Sequence, residues 1–218
     1  MFLKAPHRSP LCDSHREEVA SLLTHSLGVV FGLAALVAML VLSAGVPLKL
    51  VSAAVFGVSL VLLYLSSTLY HCFTSPRWKA RLQALDHACI YLLIAGSYTP
   101  ITLITLRGTL GWWLFGIIWA MALAGVLIKL LWDGKKDHWI STALYLVMGW
   151  LVVFAIGPLI RGLPLAGLCW LVAGGLSYTL GILFYAWHRL PFNHAIWHLF
   201  VLGGSVCHVV AVAGYVLR

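Results

Sequence analysis

Charge is what this chain has least of. Asp, Glu, Lys and Arg make up 9% of its 218 residues, with 6 acidic side chains against 14 Lys and Arg. The hydrophobic share is 62%, and the mean hydropathy is +0.99. A water-soluble domain of this length has no way to hide so much apolar surface. That excludes a soluble globular fold and leaves a polytopic membrane protein of all-α class. A disulfide framework is missing too. Cys12, Cys72, Cys89, Cys169 and Cys207 form no Cys-x-x-Cys pair, and the last three lie in apolar runs, where cysteine acts as a small hydrophobe. There is no basic stripe with interleaved exposed aromatics, so the net charge of +8 does not indicate nucleic acid. The N-terminal segment lacks the pattern of a cleaved signal peptide. It mixes charge (Asp13, Glu17, Glu18) with Pro6 and Pro10, and the mature chain is expected to begin at Met1. Internal repeats and low-complexity segments are absent as well.

What the chain does have is seven apolar runs. A helix needs about 20 apolar residues to cross the hydrocarbon core. The runs are Leu22–Ala44, Leu48–Tyr70, Ala88–Leu106, Gly111–Leu131, Ile140–Ile160, Leu163–Ala186 and Ala195–Leu217. Helix breakers separate them: Gly45-Val46-Pro47, Ser75-Pro76, Arg107-Gly108, Asp133-Gly134, Gly162 with Pro164, and Pro191. Residues 1–21 are read as a cytoplasmic segment and 22–218 as a seven-transmembrane domain. The basic residues orient it. With the N-terminus inside, the inner segments carry Lys4, Arg8, Arg16, Arg77, Lys79, Arg81, Lys129, Lys135, Lys136 and Arg189. The outer ones carry Lys49, Arg107, Arg161 and Arg218. The positive-inside rule therefore predicts a cytoplasmic N-terminus and an outer C-terminus. That orientation speaks against a G-protein-coupled receptor, and the lack of Lys in span 7 speaks against a retinal pump. Trp112, Trp113, Trp132, Trp139 and Trp187 flank spans and read as interface anchors.

Ionisable residues inside such a chain are costly, and they mark function by default. Ser67-x-x-x-His71 ends span 2, Asp86 precedes span 3, and His194-x-x-x-His198 opens span 7. By the topology above, all fall near the cytoplasmic face. His194 and His198 stand one helical turn apart on one face. With His71 they make three histidines and an open position, the arrangement of catalytic zinc. Asp86 is placed to act as general base or to orient a water, and Ser67 shares the face of His71. Blander readings exist for each residue. Asp86 caps span 3, Ser67 bonds back to its own helix, and a single histidine sits hydrogen-bonded at the interface. Of the remaining histidines, His25 is either an outer partner of a ligand or an interfacial residue. His208 lies too deep to share the metal and is expected to pair with a polar group in the bundle. Cys72 points away from His71. His7, His15, His87, His138 and His188 are expected to be solvated or interfacial.

Together these residues carry a resemblance. Ser67-x-x-x-His71, Leu85-Asp86-His87-Ala88 running to Ala95-Gly96-Ser97-Tyr98-Thr99-Pro100, and His194-Ala195-Ile196-Trp197-His198 look like haemolysin III. This is the bacterial branch of the progestin and adipoQ receptor (PAQR) group, distantly similar to alkaline ceramidases. Glu17-Glu18 and Thr24-His25 resemble the family's first-helix start, although Ser21 stands where many relatives have Asn. The resemblance implies a seven-helix fold in the bacterial inner (cytoplasmic) membrane, with zinc on His71, His194 and His198. It also implies Asp86 at the zinc-bound water and Ser67 as a nearby hydroxyl.

Two functions follow as expectations. One is a zinc-dependent hydrolase of lipid amides or esters, with membrane lipids as its partners. The alternative is a non-enzymatic lipid-sensing or homeostasis protein with structural zinc. A pore-forming haemolysin is disfavoured, because no span carries a polar stripe.

Overall fold

The computed structural model describes Cys12, residues 14–131 and residues 138–218. Lys4, Pro6, His7, Arg8, Pro10, Asp13, Trp132, Asp133, Gly134, Lys135, Lys136 and the side chain of His138 lie outside the described residues. The helices are α1 His15–Leu42, α2 Pro47–Cys72, α3 Pro76–Pro100, α4 Thr109–Leu131, α5 His138–Trp150, α6 Ile156–Gly162, α7 Leu165–Ala186 and α8 Asn193–Tyr215. They make 7 stretches long and apolar enough to cross a membrane, with α5 and α6 sharing one of them. The expected seven-span bundle is therefore present.

Local chemistry sets the helix starts. The Ser14 hydroxyl accepts from the Glu17 N–H at 3.3 Å and caps α1, whose first turn carries Glu17 and Glu18. Pro47 and Pro76 open α2 and α3, where a missing N–H costs nothing. These caps lengthen the helices beyond their apolar runs. Helix α1 begins at His15 rather than Leu22, and α3 at Pro76 rather than Ala88. Asp86 thus lies well inside α3, and the reading of Asp86 as a helix cap is overturned.

The fifth span also departs from the sequence pattern. The uninterrupted run Ile140–Ile160 breaks into α5, a 3-10 turn at Leu151–Ala155, and α6. Pro158 explains part of this, because its ring excludes a regular hydrogen bond one turn back. Tyr98 supplies the compensation. Its hydroxyl donates to the Gly149 carbonyl at 2.8 Å and accepts from the Val152 N–H at 2.9 Å.

The packing order places the polar residues. Helix α1 packs on both α2 and α8, α3 packs on α2 and α4, and α7 packs on α8. Helix α1 buries one stripe, Ser21, His25, Gly28, Gly32, Ala35 and Met39, and turns Leu23, Leu27, Val30, Val37 and Val41 outward. Gly28 is required there: a Cβ would run into the Tyr64 ring of α2. The start of α1, the end of α2 and the start of α8 therefore meet at one end of the bundle.

Candidate metal centre

His71, His194 and His198 are buried, and their ligand atoms all lie within 4.8 Å of one another. Among the described residues, no fourth His, Cys, Asp or Glu joins this group. The Nε2 atoms of all three are buried with no hydrogen-bond partner. Buried polar atoms are nearly always paired, so three converging orphans need an account.

The opposite ring atoms of His71 and His198 are accounted for. His71 Nδ1 donates to Glu18 Oε2 at 2.7 Å. His198 Nδ1 donates to the Ser21 carbonyl at 3.2 Å and lies 3.1 Å from Thr24 Oγ1. Carboxylate and carbonyl oxygens only accept, so both Nδ1 atoms carry the proton and both Nε2 atoms keep a lone pair. Neutral imidazole, held through its N–H with the other nitrogen free, is the form that binds a divalent metal. The residues present therefore fit a metal ion.

Ser67 adjoins this cluster along α2, and Asp86 adjoins Ser67. Both are buried, and Ser67 lies one turn before His71 on α2. The Ser67 hydroxyl is near enough to Asp86 to act on its carboxyl, yet its geometry closes no hydrogen bond. The structure thus brings the acid to the hydroxyl, and the hydroxyl to the face that carries His71.

Several surroundings were not read from the sequence. Glu18 contacts His71 directly, and its other oxygen pairs with Lys79 Nζ at 2.8 Å. His25, read as either an outer partner of a ligand or an interfacial residue, is buried and stacks on His198, with ring centroids 3.4 Å apart, and both of its nitrogens lack a partner. Adjacency to the family-like Glu17-Glu18 and Thr24-His25 segments was the available signal. His87, expected to be solvated or interfacial, is buried, because α3 begins earlier and carries it into the bundle. Cys72 is exposed and stands apart from the cluster, as expected, and His15 and His188 are exposed.

A second grouping, Cys12, Glu18 and His71, shares one histidine with the first. Its atoms are already engaged with one another or with neighbours, Cys12 Sγ lying 3.7 Å from Ser21 Oγ. Burial, reinforced by the Glu18 charge, pushes the Cys12 thiol up to about 12.

A cavity of about 240 Å³ lies between α3, α5, α7 and α8; none of Ser67, His71, Asp86, His194 and His198 lines it, and it reaches the cluster through His25 and Trp197, whose rings contact His198. Near the histidines it is lined by His25, His87, Tyr185 and Trp197, and beyond them mostly by Leu, Ile and Val. Deeper in the bundle a different polar set appears. Tyr64 Oη donates to Ser205 Oγ at 2.6 Å, and Tyr178 Oη lies 2.9 Å from the same oxygen. His208 meets the Tyr178 ring edge-on at 5.3 Å.

These features define a seven-helix membrane protein with a buried three-histidine group at one end. A model of the family described as Haemolysin-III related matches residues 14–209. Hemolysin-3 of Bacillus cereus is 46% identical over 204 residues, covering 93% of both chains. The Hemolysin-3 homolog of Bacillus subtilis (strain 168) is 45% identical over 205 residues, covering 93% of this chain and 96% of that one. The human Monocyte to macrophage differentiation factor is 31% identical over 177 residues, 77% of this chain and 71% of its own. The chain belongs to the haemolysin-III related family, the bacterial branch of the PAQR group.

Proposed function

We propose that this protein is a zinc-dependent membrane hydrolase of lipid amides or esters. One observation carries the reading: the unpartnered Nε2 atoms of His71, His194 and His198 converge, and among the described residues no fourth His, Cys, Asp or Glu closes the group. Closed structural zinc sites use four protein ligands, whereas three ligands with an open position serve catalysis. His71, His194 and His198 would hold the ion. Zinc there supplies Lewis acidity, polarising a carbonyl and lowering the pKa of water to about 7.

The chain's own residues do the rest. The cavity takes the acyl chain, and His25, His87, Tyr185 and Trp197 frame its polar end. Asp86 accepts a proton from the attacking water and returns it to the leaving amine or alcohol. Ser67 orients the Asp86 carboxyl. The excess of Lys and Arg on the side of the N-terminus supports a site at the cytoplasmic face.

The test uses purified protein and long-chain lipid amides and esters. Wild type is expected to release fatty acid, and Asp86→Asn to lose turnover while keeping zinc. No release from any such lipid by zinc-loaded protein overturns the hydrolase.

A second reading is favoured by the distribution of the histidines over α2 and α8, which zinc would tie together. In it the metal is structural, and its removal lowers the melting temperature with no lipid turnover at any stage. A pore-forming haemolysin, to which the name Hemolysin-3 of the Bacillus cereus relative lends itself, fits less well, because the cavity lining is predominantly apolar.

A further inference from the structure

Two neighbouring carboxylates on α1 reach two different ligand-bearing helices. Glu18 Oε2 accepts from His71 Nδ1 on α2, and Lys79 Nζ holds its other oxygen. Glu17 Oε1 accepts from the Phe192 N–H at 3.0 Å. Phe192 precedes α8, and His194 follows it by two residues. Phe192 has φ +58°, the only positive φ of a non-glycine residue among the described residues, and α8 has no side-chain cap of its own there. Glu17 therefore caps α8 from another helix, placing negative charge where the helix dipole favours it. One turn further along α1, the Ser21 carbonyl and Thr24 bracket His198 Nδ1. Helix α1 supplies none of the three candidate ligands, yet it touches the elements that carry all of them.

We propose that Glu17 and Glu18 are positioning residues of the metal centre. Glu18 fixes the ring plane and tautomer of His71, and its charge raises the basicity of Nε2. Glu17 fixes the backbone turn that aims His194. The two acids make metal retention depend on α1 being docked. This inference rests on the metal reading above and adds the residues that govern affinity without touching the ion.

The experiment is zinc competition against a chromogenic chelator, using the full chain in detergent, with melting temperatures recorded on the metal-free forms. Glu18→Gln is expected to weaken zinc binding about 10–100-fold. Glu18→Asp, which keeps the charge, is expected to fall between Gln and wild type. Glu17→Gln is expected to weaken binding several-fold. All three should melt within a few degrees of wild type when metal-free, which separates positioning from folding. If wild type binds zinc and Glu18→Gln binds it equally well, the positioning role is overturned and the metal reading stands. If wild type binds no zinc, both fall. Should Glu18→Gln fail to purify as folded protein, wild-type affinity in both Glu18→Asp and Glu17→Gln overturns the proposal.

Discussion

Two buried polar regions of this bundle use the same helices and differ in one respect. In the deeper one, Tyr64 of α2, Ser205 of α8 and Tyr178 of α7 satisfy one another through hydrogen bonds of 2.6 and 2.9 Å. At the end of the bundle, His71 of α2 and His194 and His198 of α8 turn buried nitrogens toward one another with no partner. A satisfied network is explained by packing: it ties helices together and asks for nothing more. An unsatisfied one is explained by something it holds. The two regions meet at His25, whose ring lies on His198 at 3.4 Å and edge-on to Tyr64 at 5.1 Å.

The contrast can be broken from either side. The largest effect is expected from His198→Ala, which removes a candidate ligand together with its Thr24 and Ser21 contacts. Zinc affinity should fall by more than about 100-fold, beyond the range for outer partners, as read by chelator competition. Next is Asp86→Asn, which should cost about 10²–10⁴ in lipid turnover while metal analysis shows zinc retained. Equal loss of zinc and activity in that variant would move Asp86 from proton transfer to metal retention.

Ser205→Ala addresses the satisfied network. It leaves two tyrosine hydroxyls without their shared partner and should cost about 0.6–2 kcal/mol of stability in thermal or denaturant melts. Its zinc affinity should equal that of wild type. A large metal defect there would mean that the two regions act as one.

The smallest effect concerns Cys12, at the edge of the metal centre. Its thiol is raised to about 12, mainly by burial and then by Glu18. A raised thiol pKa favours the neutral form in the folded state. The resulting stabilisation is complete below the ordinary thiol pKa and is lost as pH rises from there toward 12. At pH 7 to 8 a maleimide should therefore label the exposed Cys72 well before Cys12. Equal labelling rates would contradict the buried, neutral thiol.

How much of this was legible in the sequence depends on the range of the signal. The seven spans follow from runs of apolar residues, and spacing alone puts His194 and His198 on one face. That His71 and Asp86 share their end of the bundle follows from counting spans. Capping chemistry is readable in principle at Ser14 and Pro76, but the apolar runs are the stronger signal, and they mark only the inner parts of α1 and α3 and place His87 outside the span. The break at Leu151–Ala155 depends on Tyr98 from another helix, which no local pattern in Ile140–Ile160 reveals. The same holds for Glu18 against His71 and for His25 on His198: the contacts run between helices, and one sequence carries no record of which faces meet.

The central claim is that the three orphaned nitrogens hold zinc. Metal analysis of purified wild type beside His194→Ala tests it most directly. The account predicts about one zinc per chain in wild type and almost none in the variant, with both folded by circular dichroism. Folded wild-type protein that takes up no zinc, or a His194→Ala variant that holds zinc as wild type does, would contradict it.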